Sequence, residues 1–189
     1  GLDESKVSIL LYQFVTLKRG GEAIKMSKRT GEFVTLDELL DEVGPDAVRF
    51  MLVTQSANAT IDFDLDVAVK HSDENPVYYV QYAHARIASI LKNAAQASVR
   101  ADGDVALLTH PAEQELIREM MRFPEIIELA ANKLEPHHLP HYGIGLAGLF
   151  HSFYKQCRVL SSDPADADVS RARLKLIMTV KNTLARTLY

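Results

Sequence analysis

The sequence predicts a mainly α-helical protein, in which a short hairpin and a basic signature loop precede an antiparallel α-helical bundle. Apolar residues recur at helical spacing from about residue 73 to the end of the chain. Residues with helix-capping preferences stand at the starts of these segments. β-Branched residues are concentrated before the Gly20-Gly21 pair, which is typical of a hairpin.

The composition is that of a globular protein and excludes several classes. Of the 189 residues, 47% are hydrophobic and 24% are charged, which does not fit disordered or collagen-like chains. Cys157 is the single cysteine, so an internal disulfide framework is excluded and a cytoplasmic location is expected. The longest apolar stretch, residues 7–15, is far below the roughly 20 residues of a membrane helix. We expect no membrane partner.

Charge is distributed unevenly behind the net value of −4. Residues 18–31 contain five basic residues and one acidic residue, whereas residues 32–66 contain nine acidic residues and one basic residue. The basic surface is therefore local, and we expect no DNA partner.

The predicted elements of the first third follow from local signals. Residues 7–26 are predicted to form the hairpin, with its turn at the two glycines. Thr35 and Glu38 form a capping box before a helix that Gly44 ends. Pro45 begins a second helix, and residues 61–66 are interpreted as a short connector.

The remainder is predicted to be helical. Asn75 caps a helix that Pro76 begins, and loops are expected at residues 101–111, 134–140 and 161–169. Pro124 should kink or split the second helix of this part. We therefore expect residues 1–72 to be the end of a catalytic domain with connecting helices, and residues 73–189 to be a helical domain.

Residues 25–31 read KMSKRTG and are the most informative segment. Transfer chemistry at ATP develops negative charge on phosphate oxygens, which mobile cations stabilise. The segment closely resembles the KMSKS loop of class I aminoacyl-tRNA synthetases. The resemblance implies an ATP-binding loop of Lys25, Met26, Ser27, Lys28 and Arg29, in which Lys28 and Lys25 are catalytic. If the order of the residues is ignored, the alternative is a solvent-exposed loop that is simply rich in basic side chains.

Two further segments narrow the resemblance to arginyl-tRNA synthetase. Residues 46–49, DAVR, are similar to the DALR element, and residues 75–86, NPVYYVQYAHAR, resemble a helix typical of bacterial arginyl enzymes. The resemblance implies a DALR anticodon-binding bundle with arginine-specific tRNA as its partner. It also implies that the parent enzyme uses ATP as a substrate, together with Mg²⁺. No HIGH-like motif precedes the loop. We expect an upstream catalytic domain to be missing, so this fragment alone should hold no cofactor and be inactive.

One helical face after residue 75 carries side chains suited to RNA. Asn75, Tyr79, Tyr82 and Arg86 are spaced by four, three and four residues, with Tyr78 and Gln81 beside them. Unstacked bases are recognised by aromatic and guanidinium planes and by hydrogen bonds to their edges. The resemblance favours anticodon recognition by these residues, although any single tyrosine could simply pack against a neighbouring helix. His151, Tyr154, Lys155 and Arg158 also fall at helical spacing and are weaker candidates for tRNA contacts.

Other candidates are interpreted as structural. Val80, His84, Ile87, Leu91 and Ala94 form an apolar stripe, so His84 is expected in the interior. His137, His138 and His141 invite a zinc hypothesis, but Pro136 and Pro140 disturb their helix and no third acidic or thiol ligand is near, so no metal site is predicted. The five bases between residues 171 and 186 are expected on a solvated face or at tRNA phosphates.

Two other interpretations remain open from the sequence. A cysteinyl-tRNA synthetase shares the signature loop and a similar bundle, although the helix at residues 75–86 argues against it. A non-catalytic helical RNA-binding module with a vestigial loop is the second alternative, and binding that does not depend on ATP would favour it.

Overall fold

A computed structural model describes residue 3, residues 7–24 and residues 34–188. The described part is a small three-stranded sheet with three short helices, followed by a bundle of five longer helices. The strands are β1 (Val15–Arg19), β2 (Glu22–Ala23) and β3 (Ile61–Asp64). The helices are α1 (Leu36–Val43), α2 (Pro45–Thr54), α3 (Leu65–Ala68), α4 (Pro76–Gln96), α5 (Pro111–Met121), α6 (Phe123–Lys133), α7 (His138–Gln156) and α8 (Ala167–Leu188). The predicted mainly α-helical fold class is confirmed.

The hairpin is confirmed but is shorter than predicted. β1 and β2 pair antiparallel around Gly20 and Gly21, whose φ angles of +61° and +79° suit glycine. Residues 7–14 form no strand, which corrects the predicted start. Their apolar side chains are largely solvent-exposed, with Phe14 91% exposed, so no packing fixes them in a sheet.

The segment interpreted as a connector is strand β3. It pairs parallel with β1, with Thr16 opposite Asp62 and Lys18 opposite Asp64. Its side chains alternate between the core and the surface. Phe63 is buried, whereas the Asp62 carboxylate pairs with Lys18 Nζ at 2.7 Å. The sequence interpretation missed it because the partner strand lies about 45 residues earlier in the chain.

Local capping signals set the helix starts as predicted. The Thr35 hydroxyl accepts a hydrogen bond from the Glu38 backbone N–H, and Glu38 accepts one from the Thr35 N–H. α1 ends at Gly44, whose φ is +90°, and α2 begins at Pro45. Pro124 separates α5 from α6 by standing in the first turn of the new helix, so the predicted split is confirmed.

The main core lies inside the bundle, with α7 at its centre. α7 packs against α2, α4, α5, α6 and α8. Fully buried residues from several helices fill the interior, including Ile87, Leu116, Leu146, Phe150 and Ile177. A second, smaller cluster joins the sheet to α1, α2 and α3 through Leu17, Leu39, Val48, Phe63 and Leu65. The main core places α4 and α7 next to each other at the face discussed below.

The predicted stripe on α4 is close to the observed buried face. Val80, Ile87 and Ala94 are buried, whereas His84 and Leu91 are half-buried. The buried face also includes Val77, Ala83 and Ile90.

Cys157 is buried as expected, and burial raises the pKa of its thiol. Within the described ranges, the helices are too short or too polar to cross a membrane.

Candidate nucleic-acid interface

Asn75 has a structural task at the start of α4. Its Oδ1 accepts hydrogen bonds from the backbone N–H groups of Val77 and Tyr78 at 3.0 and 3.4 Å. Its Nδ2 donates to the carbonyl oxygens of Ala68 and Lys70 at 2.9 and 3.0 Å. The side chain is 5% exposed and its amide groups are already bonded. Asn75 therefore positions the helix, and we leave it out of the proposed interface.

Tyr78, Tyr82 and Arg86 form a continuous stack along the outer face of α4. The Tyr78 and Tyr82 rings are stacked, with centroids 5.8 Å apart and 10° between their planes. The Arg86 guanidinium carbon lies 4.5 Å from the Tyr82 ring centroid, and Arg86 Nη2 donates to the Tyr82 hydroxyl. Tyr82 and Arg86 thus share one face as predicted, but Tyr78, which was expected beside that face, completes the stack in place of Tyr79.

Tyr154 of α7 completes the stack from the neighbouring helix. The Arg86 guanidinium carbon lies 4.9 Å from the Tyr154 ring centroid, so the cation sits between two aromatic rings. Tyr82 and Tyr154 are 40% and 39% exposed. We call Tyr78, Tyr82, Arg86 and Tyr154 the aromatic patch. Tyr154 carried only a weak expectation, because its proximity to α4 depends on helix packing.

A shallow groove runs beside the aromatic patch. It is lined by Tyr82, Ala85, Arg86, Ser89, Ile90, Asn93 and Tyr154. Rings, a guanidinium and small polar groups therefore share one open surface. Such a surface offers stacking planes together with hydrogen-bond donors and acceptors, which is what recognition of unpaired bases requires.

The other predicted tRNA contacts differ in their placement. Tyr79 is half-buried and packs against His151 with ring centroids 4.8 Å apart, so it supports the patch from inside. Gln81 and Lys155 are exposed. Arg158 is also exposed, but its Nε donates to the Leu160 carbonyl at 3.0 Å, which holds part of its guanidinium to the chain after α7.

His151 lies behind the aromatic patch and is the main residue that the sequence interpretation undervalued. It is 8% exposed, and its ring stacks with Tyr82 at a centroid distance of 5.8 Å. Its Nε2 is buried with no hydrogen-bond partner among the described residues. Desolvation lowers the pKa of the imidazole below 6.5, and the positive charges of Arg86 and Lys155 act in the same direction.

Stability should fall at mildly acidic pH because of His151. An unfolded histidine with a pKa near 6.5 takes up a proton that the folded side chain resists, so folding stability is present above pH 6.5 and declines as the pH falls from 7 to 5.5. Urea unfolding across this range should show a shallower decline for H151F than for the unaltered chain. The stability of H151F should still decline somewhat with falling pH, since burial also lowers the pKa of His84 and His137. Equal slopes for the two proteins would contradict this assignment.

Two of the five bases expected on a free face of α8 are bonded within the fold. Arg171 pairs with Asp102 at 2.7 Å, and Arg173 pairs with buried Glu113 at 2.6 Å. These two side chains join α8 to the segments before and within α5. The expectation of a solvated or phosphate-binding role is wrong for Arg173, because only packing brings it to a buried acid 60 residues away in sequence. Arg171 remains 41% exposed in its pair with Asp102.

The histidines at the start of α7 have an acidic neighbour that the sequence interpretation overlooked. Ligand atoms of Glu135, His137 and His138 all lie within 4.8 Å of one another. Glu135 Oε2 and His138 Nε2 are 2.9 Å apart, and this bond lowers the pKa of Glu135. The statement that no carboxylate is near was wrong. The hydrogen bond between Glu135 and His138 accounts for the proximity of these two side chains.

The KMSKR segment cannot be placed in this geometry. Lys25, Met26, Ser27, Lys28 and Arg29 lie outside the described residues. Ile24 and Val34, the described residues on either side of positions 25–33, both pack against the smaller core cluster.

Comparison with known proteins agrees with this architecture. Residues 3–100 match the family model described as tRNA synthetases class I (K), and residues 80–189 match the DALR anticodon binding domain. Each match covers more than half of the chain. The chain therefore belongs to the class I tRNA synthetases, in the part that carries the DALR anticodon binding domain.

Similar proteins carry a more specific name. An arginine–tRNA ligase of Dehalococcoides mccartyi is 51% identical over 190 residues, which is 100% of this chain and 34% of that protein. An arginyl-tRNA synthetase structure from Campylobacter jejuni superposes with a TM-score of 0.82 at 28% identity, covering 99% of this chain and 40% of that one. A Thermus thermophilus arginyl-tRNA synthetase gives a TM-score of 0.65 at 28% identity, covering 85% and 27%. The chain thus spans about a third of the length of the curated relatives that it matches.

Proposed function

We propose that the chain is the carboxyl-terminal part of an arginine–tRNA ligase and that its helical bundle binds the anticodon stem and loop of arginine tRNA. The observation that carries the anticodon role is the aromatic patch, in which a guanidinium lies between the Tyr82 and Tyr154 rings. The named relatives support the choice of arginine as the amino acid. The same relatives favour this assignment over a cysteinyl enzyme.

The chemistry of the patch fits single-stranded RNA. Each exposed ring can stack on a base, and such stacking is worth about 1 to 3 kcal/mol per base. Arg86 adds a positive charge and a planar cation that itself stacks. Exposed Gln81 and Lys155 lie on the same two helices and could bond to base edges and phosphates. The patch therefore offers both affinity and a means of discrimination.

Loss of the patch should weaken tRNA binding strongly. Replacing Tyr82 or Arg86 by alanine is expected to weaken binding of arginine tRNA by about tenfold or more, since each change removes about one stacking interaction. Equilibrium binding at one stated salt concentration measures this. The matched controls are Y12A and R118A, which remove an exposed tyrosine and an exposed arginine elsewhere and should change affinity by less than about twofold.

A tRNA substitution tests the same proposal from the other side. The unaltered chain should prefer arginine tRNA over the same transcript with a replaced anticodon, and Y82A and R86A should lose that preference. Equal binding of both transcripts by the unaltered chain, or an equal loss in the control variants, would contradict anticodon recognition by the patch.

We further propose the catalytic roles that the signature loop implies. In the whole enzyme Lys28 and Lys25 would stabilise negative charge on the phosphates of ATP while arginine is activated, and Met26, Ser27 and Arg29 would complete the loop. Mg²⁺ would accompany ATP, and we assign it no dedicated ligand in this chain. Arginine and the body of ATP would be bound by the part of the enzyme beyond these residues, so this part alone should not make arginyl-adenylate.

The proposed domain boundary follows from the two core clusters. We propose that residues 1–72 belong with the catalytic domain and residues 73–189 form the tRNA-binding domain. The small cluster lies within residues 1–72, and the bundle core is built mainly from residues 73–189, with Ala47 and Phe50 of α2 packed into it. A cytoplasmic location is proposed with this function, because protein synthesis supplies its substrates there.

A further inference from the structure

Three imidazoles and a carboxylate meet at the turn between α6 and α7. His137, His138 and His141 are three of the seven histidines in the chain. The His137 and His138 ring centroids are 4.4 Å apart, and those of His137 and His141 are 5.8 Å apart. One ligand atom from each of Glu135, His137 and His138 lies within 4.8 Å of the other two. The turn therefore gathers nitrogen and oxygen donors around one point.

The backbone of the turn fixes these side chains next to one another. Leu134 ends α6 in the left-handed conformation, with a φ of +56°, and the Glu135 N–H donates to the Ala130 carbonyl oxygen at 3.0 Å. The His138 N–H donates to the Glu135 carbonyl oxygen at 3.3 Å, and Pro136 between them has a restricted φ. Because the backbone is already ordered, little of its freedom is lost when these side chains bind a common ligand.

The donor atoms have the chemistry and the spacing of a transition-metal site. Imidazole nitrogen and carboxylate oxygen bind Zn²⁺ at about 2.0 to 2.2 Å, so two ligand atoms of a tetrahedral ion are about 3.3 Å apart. Glu135 Oε2 and His138 Nε2 are 2.9 Å apart, and the other separations are at most 4.8 Å. Side-chain rotations that move these atoms by about 1 Å are enough to close the set. All three side chains are half-buried, so an ion can enter from solvent.

We propose that Glu135, His137 and His138 bind a divalent transition-metal ion of the Zn²⁺ type, with water as the fourth ligand. The ion joins the turn after α6 to the first residue of α7, the central helix of the bundle. Glu135 supplies a negative charge at the positive end of the α7 dipole. Two nitrogen donors favour Zn²⁺ over Mg²⁺, which prefers oxygen ligands. The site is therefore distinct from the Mg²⁺ that accompanies ATP, and it does not depend on the proposed tRNA-binding function.

Titration with Zn²⁺ alone tests the assignment. Isothermal titration calorimetry of the 189-residue chain, without a histidine tag, should show one ion per chain with a Kd on the order of 1 µM, weaker than closed four-ligand sites. Mg²⁺ should not bind measurably. H137Q and H138Q should each weaken Zn²⁺ binding by about a hundredfold or more, because even loss of an outer-shell partner typically costs 10- to 100-fold. E135Q keeps the size of the side chain but removes its charge, and should weaken binding by about tenfold or more.

Two matched controls lie outside the cluster. H71Q and E128Q make the same changes at an exposed histidine and an exposed glutamate. Both should keep the Kd of the unaltered chain within about twofold, since exposed surface positions away from the ligands contribute little.

Thermal unfolding gives a second readout. An ion that binds only the folded chain stabilises it by mass action, so Zn²⁺ at about 100 times its Kd should raise the unfolding temperature by about 5 °C or more. H137Q and H138Q should show no such rise. Each variant is compared with its own unfolding temperature in EDTA, so loss of the Glu135–His138 bond in H138Q does not enter the comparison. Circular dichroism in EDTA should show the same helical content for all variants.

The possible results decide the proposal. It would be overturned if the unaltered chain did not bind Zn²⁺, or if Mg²⁺ bound with equal affinity. Zn²⁺ binding that H137Q and H138Q retain, or that H71Q or E128Q loses to the same extent, would place the ion elsewhere and would also overturn it. None of these outcomes changes the tRNA-binding proposal, which concerns the aromatic patch.

Discussion

Replacement of Arg173 by methionine is expected to lower the free energy of unfolding by about 3 to 5 kcal/mol, because it leaves a buried carboxylate without its counter-ion. Glu113 is 1% exposed. Its Oε1 accepts from Arg173 Nε at 2.6 Å, while its Oε2 accepts from the His110 backbone N–H at 2.8 Å. Arg173 also donates to the Arg158 carbonyl oxygen at 2.9 Å. The Arg173 side chain thus connects α8 to α5 and to the segment that follows α7.

Urea unfolding of the variant, with a neighbouring control, checks this expectation. K175M removes an exposed cation from the same helix and should change stability by less than about 0.5 kcal/mol. The double variant E113Q/R173M removes both charges and should be more stable than R173M alone. If R173M lost less than 1 kcal/mol, the ion pair would not be holding these helices together. Because α7 carries Tyr154 and His151, a loosened α7 should also weaken tRNA binding.

Replacement of Gly103 by alanine is the second change with a large expected effect, a loss of about 3 kcal/mol or more. A Cβ atom at Gly103 would lie 2.3 Å from the Ala172 backbone nitrogen and 2.6 Å from the Arg171 carbonyl carbon. Both contacts are with the backbone of α8, which cannot turn aside as a flexible side chain could. The close approach also places Asp102 where it bonds to Arg171.

The control for this variant is a glycine with free space around it. Gly145 lies within α7, and an added Cβ would meet no heavy atom within 4 Å. G145A should therefore stabilise the chain by about 0.5 to 1 kcal/mol through helix propensity. Thermal or urea unfolding of both variants gives the comparison. A G103A variant as stable as the unaltered chain would mean that the loop does not rest on α8 as described.

Signals that lie close together in the sequence predicted most of the fold. Capping at Thr35 and Asn75, and the prolines at helix starts, act through hydrogen bonds and steric limits within a few residues. Helical periodicity likewise placed Tyr82 and Arg86 on one face, although it aligned Tyr79 rather than Tyr78 with them. The KMSKR loop and the DAVR element likewise identified the family before any packing was known.

Contacts between distant parts of the chain could not be predicted in this way. Strand β3 needed its partner β1, and the bases Arg171 and Arg173 needed acidic partners from other segments. Asn75 was expected at the RNA surface, but its amide is enclosed by the turn that precedes α4. A helical face can be read from spacing, whereas which of its residues become buried depends on what packs against it.

The sequence by itself determined that this chain is mainly helical, that it belongs with the class I synthetases, and that α4 carries an aromatic and cationic face. Tertiary structure alone decided that Tyr154 joins that face and that His151 lies behind it with an unpaired nitrogen. The physical reason is range: periodicity and capping act over one or two helical turns, but α4 and α7 are brought together by a core assembled from residues across the whole bundle.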